Sequence, residues 1–261
     1  MIKIIISLLF VLSFNVYPDK NPEVGVDEKL GANLPLDVYF FDEDSNKVLL
    51  KDLMGKPTVL AFVYYECPGI CSPLLNSMAE VINNTDLIIG VDFNVIVISM
   101  DDLELPFNAK KRKDVILQLM DKNVPPESWR FLTGKLDDIK KVSDAAGFYF
   151  KREGKDFRHA GCFIFTDSQG KITRYLFPSY SERHGFGILP FDFKMAVFEA
   201  SESKVTPTIA RVLQFCYSYD PAGRTYVFNL TRIFGIIILL FVVVFLLYIK
   251  FKPKKELSIK S

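Results

Sequence analysis

The chain is sparing with the residues that metal and nucleophile sites draw on. It has two histidines, His159 and His184, and four cysteines in 261 residues. Any imidazole ligand must come from one of those two positions. Lysine plus arginine (32) nearly balance aspartate plus glutamate (31), so there is no global field of the kind that attracts nucleic acid. Internal repeats and low-complexity tracts are also missing. Two narrower absences bear on the chemistry: the sequence contains no C-x-x-C, and no proline occurs between Pro126 and Pro178.

What is present begins with the two ends. "MIKIIISLLFVLSFNV" has Lys3 ahead of an apolar run, the layout of a secretory signal over residues 1–18. The run is short for a membrane span, and no clear A-x-A site follows, so a cleaved signal and an N-terminal anchor are both open. A second apolar run, Ile233 to Ile249, has Arg232 before it and Lys250, Lys252, Lys254 and Lys255 after it. This predicts a transmembrane helix over 232–249 with a basic cytoplasmic tail, 250–261. The residues between the two runs then lie outside, and the periplasmic face of a bacterial inner membrane fits. Residues 19–35, with prolines and scattered charge, read as a linker; 36–215 as one domain; 216–231 as a juxtamembrane segment.

Within that domain, "PTVLAFVYY" (57–65) reads as a buried strand. "SPLLNSMAEVINN" spaces Leu74, Leu75, Met78 and Ile82 as an amphipathic helix. "FNVIVISM" (93–100) is a second buried strand and "AKKRKDVILQLM" (109–120) a second helix with a basic first turn. Strand, helix, strand, helix implies parallel βαβ connection. A helix over 135–147 that stops at Gly147, a hairpin around "DSQG" in 160–177 and a final helix "FDFKMAVFEAS" complete the order of a thioredoxin-like α/β sandwich.

The cysteine pair in "YYECPGICSP" lies where the first strand hands over to its helix. If Cys67 enters the helix, Pro68 takes the first helical position and Cys71 follows one turn later. Both thiols then face the positive end of the helix dipole, which favours thiolate, the nucleophile and the metal ligand. Side chains four apart on a helix place their β-carbons about 5–6 Å apart, whereas a relaxed disulfide wants about 3.5–4.5 Å. A reversible bond or a metal site therefore fits better than a permanent staple. Two soft thiolates suit Cu(I), and a third ligand would extend the site to Cu(II). His159, in "FRHAGCFIF", precedes the first hairpin strand, on a loop that a thioredoxin-like sheet brings towards the cysteine helix. His184 sits in a polar glycine-containing loop with no chemical neighbour.

These pieces together resemble the SCO/SenC family, copper-handling assembly factors of cytochrome c oxidase with a thioredoxin-like fold. The resemblance rests on "YYECPGIC", "VISMDD", "FRHAGCFIF", "GKITRYLF", "AVFEAS" and "FCYSYDPAGRTY", spread from about residue 35 to 230. It implies that Cys67, Cys71 and His159 are copper ligands and that Asp101 lies near them, able to steer metal or partner. It also implies a membrane-anchored copper metallochaperone whose partner is the copper-site subunit of the oxidase or another copper acceptor. The motif departs from many relatives, which carry an acidic residue inside it and a proline directly after the second cysteine. Cys162 reads as a small core residue and Cys216 has no assigned role, with a 162–216 disulfide open. The basic run Lys110 to Lys113 could dock an acidic partner or be a solvated helix face.

The rival is a thiol–disulfide oxidoreductase that reduces cysteines of an exported client with the same two thiols. Thioredoxin-type enzymes use C-x-x-C and set a cis-proline opposite it; this chain has no proline in that stretch, and His159 stands close to the expected place. Whether the protein is an enzyme at all turns on that difference.

Overall fold

The structure, a computed structural model, describes residues 23–181 and 185–207, together with 217–220, 225–228, 238, 241–242 and 244–248. The chain divides into two units, residues 1–206 and 207–261. In the second, Tyr217–Asp220 pairs antiparallel with Thr225–Phe228. The expected signal segment 1–18, the basic tail, His184 and Cys216 lie outside the described residues, as does most of 232–249. Among the described residues no helix is long and apolar enough to cross a membrane.

The first unit is built on five strands in the spatial order β5-β4-β1-β2-β3. They are β1 (Thr58–Val63), β2 (Asn94–Ser99), β3 (Trp129–Leu132), β4 (Phe163–Thr166) and β5 (Ile172–Leu176). β1, β2 and β3 run parallel, while β4 pairs antiparallel with both β1 and β5. Helices α1 (Cys71–Asn83), α2 (Pro106–Leu117) and α3 (Leu136–Ala145) follow the three parallel strands in turn, and α4 (Pro190–Ser201) follows β5. The α/β order expected from the sequence is observed with one strand added, β3 (Trp129–Leu132), which the sequence pattern between the second and third helices did not mark.

Sheet covering explains the composition of β1, whose six residues are all buried. A strand enclosed on both faces reads as a continuous apolar run, as parallel strands do. α4 packs on β1, β4 and β5, and α1 lies against both α2 and α4. Phe62 of β1 stacks on Phe148 with ring centroids 4.9 Å apart.

Three expectations change. α1 begins at Cys71, one turn later than expected, so Cys67 and Pro68 belong to the loop before it. Residues 25–34, expected within a linker, are stitched to the domain: Gly25–Val26 pair with Phe148–Tyr149, and Gly31 and Leu34 donate to Ile172 and Gly170. Composition could not reveal this, because these backbone groups are satisfied by residues more than a hundred positions away. Gly147 makes the close approach possible, with a φ of +62° and space for no β-carbon against the Asp27 carbonyl.

The third change concerns the basic run in α2. Lys113 is buried and bonds Glu43 at 2.6 Å and the Pro126 carbonyl at 2.8 Å. Arg112 donates to the Tyr65 carbonyl and to Ser72. Lys110 pairs with Asp114 across one helical turn. The run is thus neither a uniform docking patch nor a uniformly solvated face. Removing one partner of a buried pair leaves an uncompensated charge and costs about 3–5 kcal/mol, so Lys113→Ala is expected to lower stability by that order. Lys111→Ala, at an exposed position, is expected to stay within about 0.5 kcal/mol. Denaturant unfolding of both variants checks the contrast; equal effects would refute it.

Candidate metal centre

Parallel strands open their binding crevices at their carboxyl ends. The loops leaving β1 and β2 meet there. Leaving β1, the backbone N–H groups of Tyr65 and Glu66 donate to the two carboxylate oxygens of Glu104, at 2.9 and 2.8 Å. Ser99, the last residue of β2, donates its hydroxyl to the same carboxylate at 2.6 Å. Burial pushes the Glu104 carboxyl up from its ordinary range, against these donors. Tyr65 is pinned further, its hydroxyl donating to the Leu132 carbonyl at 2.7 Å. Arg112 holds the Tyr65 carbonyl from the other side. The residues directly before Cys67 are therefore fixed by groups from β2, β3 and α2.

From this anchor the chain turns back on itself. Cys67 donates its N–H to the Tyr64 carbonyl at 3.3 Å, and the Gly69 N–H points at the Cys67 sulfur at 3.3 Å. α1 then starts at Cys71, whose side chain is fully buried. Opposite stands His159, with Nε2 3.5 Å from the Cys71 sulfur. Its Nδ1 lies 2.8 Å from the Ala160 carbonyl. A carbonyl can only accept, so Nδ1 carries the proton and Nε2 keeps its lone pair turned to the sulfur. Burial pushes the imidazole pKa below its ordinary value, which keeps the ring neutral.

Cys67, Cys71 and His159 bring their ligand atoms within 4.8 Å of one another, a group able to hold a metal ion. Two thiols and one imidazole nitrogen are a soft set with its tautomer already fixed, which suits copper and leaves room for an incoming ligand. The expectation that both thiols would be acidified is half right. Burial alone would raise the Cys67 thiol, but hydrogen bonds from Tyr64 and from the backbone of Cys71 and Gly69 outweigh it and hold it low. Cys71, deeper inside, is pushed well up by burial.

His159 is placed by a hairpin absent from the sequence reading, Lys151–Glu153 paired with Asp156–Arg158. The turn at Gly154, with φ +68°, was its one local signal. Tyr64 ties this hairpin to the cysteine loop through Asp156, at 3.3 Å. Asp101 and Asp102 each take Arg152 at 2.6 Å. The Asp101 charge is therefore engaged in holding the hairpin. Cys162 is a buried free thiol outside the ligand group. Glu104, which organises the loop, carries no local sequence signal, because the backbone N–H groups it accepts lie 39 and 38 positions away.

The model of the SCO1/SenC family matches residues 33–186. Over 117 residues the chain is 32% identical to the mitochondrial SCO1 homolog 1 of Arabidopsis thaliana, covering 44% of this chain and 32% of that protein. Over 151 residues it is 24% identical to mitochondrial SCO1 of Saccharomyces cerevisiae, covering 55% and 48%. The chain thus spans less than half the length of either relative. Among solved structures, a protein of Aquifex aeolicus VF5 superposes with a TM-score of 0.58 at 24% identity, covering 67% of this chain and 95% of that one. Yeast Sco1 superposes at 0.50 with 20% identity, covering 66% and 99%. These likenesses show the fold.

Two outcomes are expected from the site's electrostatics. Iodoacetamide at neutral pH is expected to modify Cys67 first and Cys71 only after unfolding, read by peptide mass spectrometry; the reverse order would overturn the burial argument. In an NMR pH titration, His159 is expected to protonate below 6.5, its unperturbed value. Because the depressed folded pKa favours the neutral ring, this group's contribution to stability is full above 6.5 and is lost as pH falls through the folded pKa.

Proposed function

This chain belongs to the SCO1/SenC family, and from that premise we propose that it is a copper metallochaperone serving assembly of the copper site of cytochrome c oxidase. Copper is its cargo. The observation that carries the reading is the convergence of Cys67, Cys71 and His159, with Nε2 held free by the Nδ1 contact to Ala160. A binding protein that must release its metal needs a site that is complete enough to hold and open enough to exchange. Three ligands meet both needs, because a vacant position admits a ligand from the recipient before any of its own has left.

The protein's residues divide that task. Glu104 and Arg112 hold the backbone before Cys67, so the loop does not have to reorganise for binding. His159 offers a neutral nitrogen over the acidic side of neutrality. Cys67, the less buried and more acidic sulfur, is the ligand that an acceptor meets first.

Further features of the reading come from the sequence. The apolar segment 232–249 anchors the chain in the membrane, with 1–18 as signal or second anchor and the basic tail 250–261 in the cytoplasm. The main domain then works on the periplasmic side of a bacterial inner membrane. Anchoring raises the effective concentration of a membrane-bound acceptor, so modest affinity suffices.

Copper titration of the reduced full chain tests the function, with His159→Ala beside it. One copper per chain is expected, with Cu(II) thiolate absorption altered in the variant and affinity lowered by more than the ~10–100-fold typical of an outer-shell loss. Absence of tight binding, or binding indifferent to His159, would instead favour a thiol–disulfide oxidoreductase acting on an exported client.

A further inference from the structure

A cavity of about 330 Å³ opens between the cysteine loop and α2, lined by Glu66, Cys67, Asn108, Lys111, Arg112 and Val115 together with Tyr65. Of the two site cysteines it is lined by Cys67 and not by Cys71. Its charges are unevenly matched. Within the same helix Lys110 and Lys113 are paired with Asp114 and Glu43, but Lys111 and Arg112 have no carboxylate partner among the described residues. Arg112 spends its hydrogen bonds on a carbonyl and a hydroxyl, both neutral. The lining has one carboxylate, Glu66, and that accepts from the Asn108 amide at 2.9 Å. Two cations and one anion thus line a cavity that Cys67 also lines.

We propose that this groove is a subsite for a small carboxylate-bearing thiol or its disulfide, delivered to Cys67. The volume lies at the low end of small-ligand pockets. The excess positive charge concentrates anions and repels cations at the mouth. With a disulfide as ligand, the Cys67 thiolate attacks one ligand sulfur. A bond forms between Cys67 and that half, the ligand S–S bond breaks, and the other half departs as thiolate with the electron pair. Cys71 then displaces the bound half, closing a 67–71 bond, releasing the second thiolate and giving its proton to solvent. The ligand disulfide is reduced to two thiols and the protein pair is oxidised.

The inference extends the proposed handover by naming what approaches Cys67, yet its test uses no metal, so failure of copper binding and failure of the subsite are separately visible. The metal-free, reduced full chain is treated with dithiodiglycolate, bis(2-hydroxyethyl) disulfide and cystamine, which are anionic, neutral and cationic. Mixed-disulfide formation at Cys67 is followed by mass spectrometry. The ratio of anionic to cationic rates is expected to fall about tenfold in Lys111→Glu, with Lys111→Gln between, and to shrink in high salt. An unchanged ratio in Lys111→Glu would overturn the subsite. So would a charge preference seen only with a cysteinyl peptide disulfide flanked by aspartates and not with dithiodiglycolate, which would make the ligand a protein segment.

Discussion

The carboxylate of Glu104 is the contact on which the metal centre depends. Lying beneath the loop that leaves β1, it takes two consecutive backbone N–H groups and the hydroxyl that ends β2. A buried carboxylate with no donors would be costly, and two buried N–H groups with no acceptor would be costly as well. Together they cancel each other's penalty and leave a rigid join between adjacent strand ends. Cys67 is the second residue beyond Tyr65, so its position inherits that rigidity. Its sulfur is held in turn, taking the Gly69 N–H at 3.3 Å.

From this join the two thiols acquire different surroundings, although four residues separate them. Cys71 begins α1 and goes inside with it, under the packing of Leu74 and Leu75. Cys67 is buried too, though less deeply at 8% exposed, and backbone and hydroxyl donors converge on its sulfur. A pair of equal, exposed thiols would oxidise or bind metal indiscriminately; one sheltered and one approachable sulfur give the site an order of events. His159 is brought in by a third element, the hairpin fastened to the cysteine loop by Tyr64 and to the β2 loop by Arg152. No two ligands come from the same secondary-structure element.

Local patterns made much of this legible. The apolar runs of β1 and β2, the spacing of α1 and the "DSQG" turn depend on neighbours in sequence, and they read correctly. The three residues that the resemblance marks as ligands, Cys67, Cys71 and His159, do come together, with their ligand atoms within 4.8 Å of one another. What escaped is decided by partners far along the chain. The stitching of residues 25–34 depends on backbone groups of Gly147 and of residues 170–172. The fates of Arg112 and Lys113 depend on Tyr65 and Glu43, and nothing within "AKKRKD" tells an inward lysine from an outward one. The start of α1 was misplaced because proline tolerates the first helical turn as readily as the loop before it.

The location of His159 also bears on why the chain favours holding over turning over. In a thioredoxin-type enzyme the position facing the cysteines must let a client's backbone lie down, exchange a disulfide and leave. Here an imidazole occupies that neighbourhood, 3.5 Å from the inner sulfur, with its tautomer set by the next carbonyl along the chain. Such a ring stands beside Cys71 and adds a nitrogen to the two sulfurs in a group able to hold a metal ion. The groove bounded by α2 is lined by Cys67 and not by Cys71. An exchange of sulfur for sulfur at a metal and an exchange of sulfur for sulfur in a disulfide need the same thing there, one accessible thiolate with the second held back. The fold therefore sets two sulfurs of different burial and one neutral imidazole in a single group able to hold a metal ion.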